Sequence, residues 1–426
     1  MYRARLLRQS PTLWGYHEGK EKMPMREYIT RKGDTVSRIA ASHGLAPEHI
    51  IYGNPWTRSQ PYLIPGQLLY LPNTPRKRYA LQEGDSPEAV AAAFGVTIDE
   101  LETLNPGLLS GRGFGPGKII VLPATPHARI VRLRGEYGHR EMAEDIGRLA
   151  ARYPQIEADA IGYSVLGKPL HLLRIGSGRK HLHVNASLHA NEWLTTPSLM
   201  AFLEDYAAAL NEGGLWNGFD VGKWYQDWTI WAVPLANPDG VELVQEGAPP
   251  GHPLRDELTR WNGGRRGFRH WKANIRGVDL GDQFPAHWDE ERERRGVRGP
   301  APRDYSGPAP LSEPEAAALA ALAERVPGAA AVSLHSQGSE IYWNYRGCEP
   351  PESRELAAAL AAACGYRAVE LTGSDAGYKD WFIQRFRRPG FTVELGLGKN
   401  PLPMEDFEDT ALETGLILAA LLSNLK

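Results

Sequence analysis

With 426 residues, 42% of them hydrophobic and 23% charged, the chain is too long for one ordinary core and predicts two or three soluble domains. A net charge of −3 gives nucleic acid no electrostatic reason to bind, and the basic runs Arg292-Glu-Arg-Arg295 and Arg385-Phe-Arg-Arg388 read as solvated faces. Two cysteines, Cys348 and Cys364, exclude a disulfide framework and a thiolate zinc site, and no apolar run reaches the ~18 residues of a membrane span.

Met1 to Ser10 carries neither the apolar region nor the small-residue cleavage site of a secretory signal. The expected location is the cytoplasm, or the cell wall or spore by a route the sequence does not show. After an arm at 1–27, two units follow one pattern, at 28–72 and 79–123. Tyr28 and Tyr79 open them, and Gly33-Asp-Thr and Gly84-Asp-Ser supply a turn with a helix N-cap. Gly44 and Gly95 sit where a helix end favours positive φ. Asn54-Pro and Asn105-Pro end a second helix, and Pro65-Gly and Pro116-Gly turn into a closing strand. These paired features resemble LysM modules, small βααβ domains, and the resemblance implies binding to the N-acetylglucosamine-containing glycan of peptidoglycan or chitin. Asn73-Thr-Pro and Pro123-Ala-Thr-Pro are short linkers.

From about 130 the pattern changes. Met142, Ile146, Leu149 and Tyr153 fall at helical spacing, and Ile161–Ile175 reads as a hairpin turning at Gly167-Lys-Pro. Apolar strands are predicted at 183–188, 228–234, 329–334 and 391–395, separated by helical segments that include 195–203 and 314–324. Strands alternating with helices predict an α/β domain with a mixed, mostly parallel sheet and helices on both faces. Asn185-Ala-Ser fits a glycosylation sequon but lies in an apparent buried strand.

His189-Ala-Asn-Glu192 follows the strand at 183–188, and His335 closes the strand at 329–334, where open α/β sheets keep their sites. An imidazole, a carboxylate and a second imidazole form the three-ligand set of a catalytic zinc with one open position. His-x-x-Glu alone is weak evidence in a chain with 13 His and 51 acidic residues. Ala236-Asn-Pro-Asp-Gly, Trp271-Lys-Ala-Asn-Ile-Arg-Gly-Val-Asp-Leu280 and Glu394 complete an ordered set over roughly 130–426. The set resembles the zinc carboxypeptidase family, which implies an eight-stranded sheet and one Zn2+ in the domain. By that resemblance His189, Glu192 and His335 are the zinc ligands and Glu394 the general base, unless Glu394 pairs with Arg388. Lys272 stands at the family's oxyanion-stabilising arginine; the alternative is a surface Lys272 with Arg269 or Arg276 in that role. Asn274, in the same stretch, is a candidate substrate contact.

The departures from the family bear on substrate. Where the family grips a free C-terminal carboxylate with an Asn-Arg pair, this chain has Gly281-Asp282, and an acid prefers an amine. The resemblance implies that Lys379 would sit at the floor of the pocket for the residue after the cut and offer a positive charge there. Thr372 stands at the usual place of the closing tyrosine, with Tyr378 a possible substitute. A side chain bearing both an amine and a carboxylate, such as the distal end of meso-diaminopimelate, fits Asp282 and Lys379 together. The combination resembles γ-D-glutamyl-meso-diaminopimelate peptidases, which implies glycan and stem peptide of peptidoglycan as partners. Two alternatives stand beside it: a broad metallocarboxypeptidase, and a non-catalytic wall-binding protein with a degenerate zinc domain.

Overall fold

The computed structural model describes residues 129–425, apart from 134, 212–214 and 217–218, and a scattered subset of residues between 25 and 122. The chain divides into two compact units, Met1–Ala124 and Thr125–Lys426.

In the first unit each repeat closes on itself. Strand β1 (Met25–Ile29) pairs antiparallel with β2 (Leu68–Pro72), and β3 (Lys77–Ala80) with β4 (Ile119–Leu122). β1 takes in Met25, Arg26 and Glu27, expected in the arm, because the ladder runs on to pair Met25 with Pro72. Ile39, Ile50, Leu63, Leu69 and Leu71 form the core of the first repeat. Its Asn54 is fully buried: Nδ2 donates to the carbonyls of Ile50 and Tyr70, and Oδ1 accepts from the Tyr70 amide, all at 2.7 Å. The asparagine thus fastens the closing strand to the helical segment. In the second repeat Ser86 Oγ accepts from Ala89 N at 3.1 Å, capping the helix Pro87–Phe94. Gly44, Gly95 and Asn105 lie outside the described residues.

The second unit is built on one sheet. Its strands are β5 (Ile156–Tyr163), β6 (Pro169–Gly176), β7 (Lys180–Ala186), β10 (Trp228–Val233), β11 (Ala330–Ser336), β12 (Glu340–Tyr342), β13 (Arg367–Val369) and β14 (Gly390–Leu395). A two-residue pair, β8 (Leu215–Trp216) and β9 (Phe219–Asp220), stands apart. The spatial order is β13-β12-β14-β11-β7-β10-β6-β5. The centre, β14-β11-β7-β10, is parallel, while β6 and β5 on one side and β12 against β14 on the other run antiparallel. Every residue of β11 is buried, as a strand covered on both faces requires.

Two apolar cores flank the sheet. Helices His139–Arg152, Thr195–Asn211, Ser353–Cys364 and Phe407–Asn424 pack into one with Leu182, Val184, Ile230, Val332 and Leu334. Helices Pro314–Arg325 and Tyr378–Phe386 pack into the other with Ala331 and Val233. Each buried leucine or phenylalanine in these layers contributes roughly 1.5–3 kcal/mol. The hairpin at Gly167 forms as expected, with φ +81° at the glycine. Cys348 and Cys364 are both free thiols. Among the described residues no helix is long and apolar enough to cross a membrane.

Candidate active site and metal centre

β7 ends at Ala186, and the chain enters a 3-10 turn, Ala190–Glu192, before the helix that starts at Thr195. Three residues per turn bring positions i and i+3 into line. His189 Nδ1 and Glu192 Oε1 are therefore 3.0 Å apart on one side of the turn. β11 lies beside β7, with Leu334 opposite Ala186, so His335 falls just beyond the end of β7. Its Nδ1 is 2.9 Å from Glu192 Oε2 and 3.1 Å from His189 Nδ1. The donor atoms of His189, Glu192 and His335 all lie within 4.8 Å of one another. Two imidazole nitrogens and a carboxylate converging on one point fit zinc.

β14 brings the fourth residue. Glu394 is the register partner of His335 in the parallel ladder. Arg388, its alternative partner, instead donates to the carbonyls of Pro327 and Gly328. Burial, reinforced by the Glu192 carboxylate, pushes the Glu394 carboxyl up to about 8 against the pull of His189 and Lys272. Burial also disfavours charge on Glu192, but His189 and His335 outweigh it and hold that carboxyl well below the usual range. At His189 burial works against the proton, yet Glu192 and Asp279 lift the ring to about 9; at His335 burial prevails and lowers it.

Several residues that complete the site carry no sequence signal of their own. Asp279 Oδ1 is 3.2 Å from His189 Nε2, and its carboxylate also accepts from the amides of Gly281 and Asp304. Asn400 Nδ2 reaches Glu192 Oε1 at 3.4 Å, while Ser336 contributes its amide to Glu192 Oε2 at 3.3 Å and its hydroxyl to Asn400 Oδ1 at 2.8 Å. Ser333 Oγ stands 3.2 Å from His335 Nε2. Each ligand thus has an outer partner that fixes its orientation.

Lys272 faces the site. Its backbone carbonyl accepts from Ala190 N at 2.9 Å, tying its loop to the metal turn. Burial works against its charge, but Asp279, Glu192 and Glu394 raise its pKa above the usual lysine value. Arg269 and Arg276, the alternatives, pair instead with Glu136 at 2.9 Å and Glu313 at 3.6 Å.

Asp282 is buried at the end of a 3-10 turn, with Oδ1 2.9 Å from Arg295 Nη2 and Oδ2 without a partner among the described residues. Burial and the neighbouring Asp279 push it up to about 7, with Arg295 opposing. A Cβ at Gly281 would meet His189 Nε2 at 2.4 Å, so a side chain there would displace the ring.

Three expectations need correction. Lys379 is buried and offers no free charge: its ammonium donates to Asn344 O at 2.7 Å and pairs with Asp380 Oδ1 at 2.6 Å. Asn274 is fully buried and holds its own loop, its Nδ2 2.7 Å from Glu313 Oε2 and its Oδ1 accepting from Arg276 N and Val278 N. Nδ2 also lies 3.4 Å from Glu315 Oε2, so the side chain has no donor or acceptor left for substrate. Tyr378 packs among Phe284, Trp381 and Phe382 as a core aromatic, so it does not replace the closing tyrosine.

A mixed sheet with a His-Glu-His donor set at its strand ends, and an acid on the adjacent strand, defines a zinc metallopeptidase. The chain belongs to the zinc carboxypeptidase family, whose model matches residues 142–416, and it carries two LysM domains at 28–72 and 79–123. It is 46% identical to gamma-D-glutamyl-L-diamino acid endopeptidase 1 of Lysinibacillus sphaericus, over 69% of this chain and 74% of that protein. It is 40% identical to the uncharacterised protein YqgT of Bacillus subtilis, over 66% of this chain and 76% of that one. The crystal structure of carboxypeptidase A from Helicoverpa armigera superposes with a TM-score of 0.52 at 15% identity, over 89% of this chain and 96% of that one; it shares the fold.

Proposed function

We propose that this protein is a zinc-dependent peptidoglycan hydrolase that cuts the bond between γ-D-glutamate and meso-diaminopimelate in stem peptides. In this reading the LysM domains hold the N-acetylglucosamine-containing glycan and keep the enzyme at the cell wall. The observation that carries the substrate assignment is Gly281-Asp282 at the position where the family grips a peptide's free carboxylate. A buried acid there, paired with Arg295 and with its second oxygen without a partner among the described residues, disfavours a carboxylate beside it and favours an amine. The relative in L. sphaericus, whose name specifies an L-diamino acid next to γ-D-glutamate, supports the same reading.

His189, Glu192 and His335 hold the zinc, which when bound supplies a Lewis acid that lowers the pKa of a water toward ~7. Glu394, whose ionised form a cation in the site would favour against burial and Glu192, would take a proton at its carboxylate and pass it to the leaving amine. Lys272 stabilises negative charge developing on the scissile carbonyl oxygen as a point donor. Gly281 carries no side chain, and Arg295 is already engaged by Asp282, Glu291 and Asp304. At the position of the family's Asn-Arg pair no guanidinium therefore waits for a terminal carboxylate, which favours cleavage inside the stem peptide over broad carboxypeptidase action.

Mass spectrometry of digests of diaminopimelate-type and lysine-type peptidoglycan tests the assignment. Cleavage at γ-D-glutamate in the first, with hippuryl dipeptides left intact, is the expected result. Equal cleavage of both types overturns the diaminopimelate assignment. Intact sacculi of both types, with restored zinc after o-phenanthroline, would favour the non-catalytic alternative.

A further inference from the structure

Asn185 on β7 and Ser333 on β11 are register partners in the central ladder, both almost completely buried and one step behind the metal ligands. Ser333 Oγ donates to Asn185 Oδ1 at 2.7 Å. A hydroxyl has one proton. Having given it to Asn185, Ser333 can only accept from His335 Nε2, 3.2 Å away. That fixes the proton of His335 on Nε2 and leaves Nδ1, the atom facing Glu192 and His189, with its lone pair bare. Turning the amide of Asn185 over would reverse the chain: the NH2 group would donate to Ser333, Ser333 to Nε2, and the imidazole proton would move to Nδ1, closing the metal position.

The arrangement carries a cost. Asn185 Nδ2 has no partner among the described residues, although it is buried. An unsatisfied buried amide destabilises the fold, and an apolar residue of similar shape would avoid that cost. Folding alone gives no reason to keep an asparagine there.

We propose that Asn185 and Ser333 act as a positioning relay that holds His335 in the Nε2–H tautomer and so prepares Nδ1 as a zinc donor. The inference rests on the zinc metallopeptidase reading and adds two residues to it. Neither touches the metal or the substrate, so the readout is metal affinity rather than turnover alone.

The test uses the full-length protein with Ser333→Ala, Asn185→Leu and the conservative Ser333→Thr. Zinc affinity is measured by competition with a chelator of known strength, the d–d absorption spectrum is recorded with Co2+ in place of zinc, and the melting of chelator-stripped protein is followed. Ser333→Ala and Asn185→Leu are expected to weaken zinc binding ~10–100-fold and to alter the Co2+ spectrum. Stripped Asn185→Leu should melt at or above the wild-type temperature, and Ser333→Thr should keep wild-type affinity. Wild-type zinc affinity in Ser333→Ala or Asn185→Leu overturns the relay alone. So does a loss of affinity that follows loss of melting temperature and is not restored in Ser333→Thr, which marks a packing role. A wild-type protein that takes up no zinc removes the metallopeptidase reading and the relay with it.

Discussion

Glu394 and Lys272 stand beside the proposed zinc ligands with an acid and a base, and each can be removed without touching a ligand. Glu394→Gln keeps the shape of the side chain but cannot take a proton. Turnover of stem peptide should fall ~10²–10⁴-fold, with zinc content by atomic absorption unchanged. Lys272→Met should lower kcat ~10²–10³-fold and leave KM nearly unaltered, because the ammonium meets charge that develops only as the bond breaks. A second carboxyl, Glu315, governs pH behaviour away from the chemistry. It is buried, and desolvation pushes it from 4.5 up to about 7 against its bonds to the backbone and Asn274. The folded protein therefore holds this proton more tightly than the unfolded chain. The resulting stability is fully present below pH 4.5 and is lost as pH rises through about 7. Glu315→Gln should flatten the decline in melting temperature between pH 5 and 8, measured by calorimetry at constant ionic strength.

His189, Glu192, His335 and Glu394, the proposed zinc ligands and base, could be picked out at this scale because each ends or follows an apolar run. The structure brings the donor atoms of the first three together at the strand ends, where such sheets place ligands. Asp279, Asn400, Ser333 and Asn185 were not, since a hydrogen-bond partner in another element depends on the fold. Lys379 and Asn274 were misread for the same reason. Their side-chain chemistry suits a substrate, and nothing local announces that Asp380, Asn344 and Glu313 already occupy it.

Elements show a similar division. β10, β11 and β14 are short, mostly apolar runs, β7 sets Leu182, Val184 and Ala186 at alternate positions, and the hairpin β5–β6 has a glycine in its turn, so their existence followed from composition and period. β8, β9, β12 and β13 are two or three residues long, too short for any period to emerge. The loop from Trp271 to Leu280 is shaped from within by Asn274, which bonds to two of its amides and to Glu313. Asn274→Ala should cost about 1–3 kcal/mol in urea unfolding, with KM for stem peptide changing less than kcat as the loop that carries Lys272 and Asp279 loosens. A rise in KM with kcat intact would restore Asn274 to the substrate.

For the whole molecule, the two units have separate cores, and in the proposed reading they divide labour between holding the cell wall and cutting peptide. A protein shortened to residues 125–426 should keep its kcat on a soluble muramyl tetrapeptide and lose ~10²–10⁴-fold in rate on intact sacculi, where tethering raises the local concentration of cut sites. Equal loss on both substrates would mean that the first unit supports the second structurally.

The spread of the metal ligands along the chain has a consequence for biosynthesis. His189 and Glu192 lie 146 and 143 residues ahead of His335, so a polypeptide leaving the ribosome exposes a two-toothed chelate long before the third tooth exists. Such a half-site binds weakly and trades ions freely with its surroundings. Firm capture of zinc must wait until β11 has slotted in beside β7, which makes metal uptake a reporter of completed sheet assembly, readable in nascent chains arrested before and after residue 335.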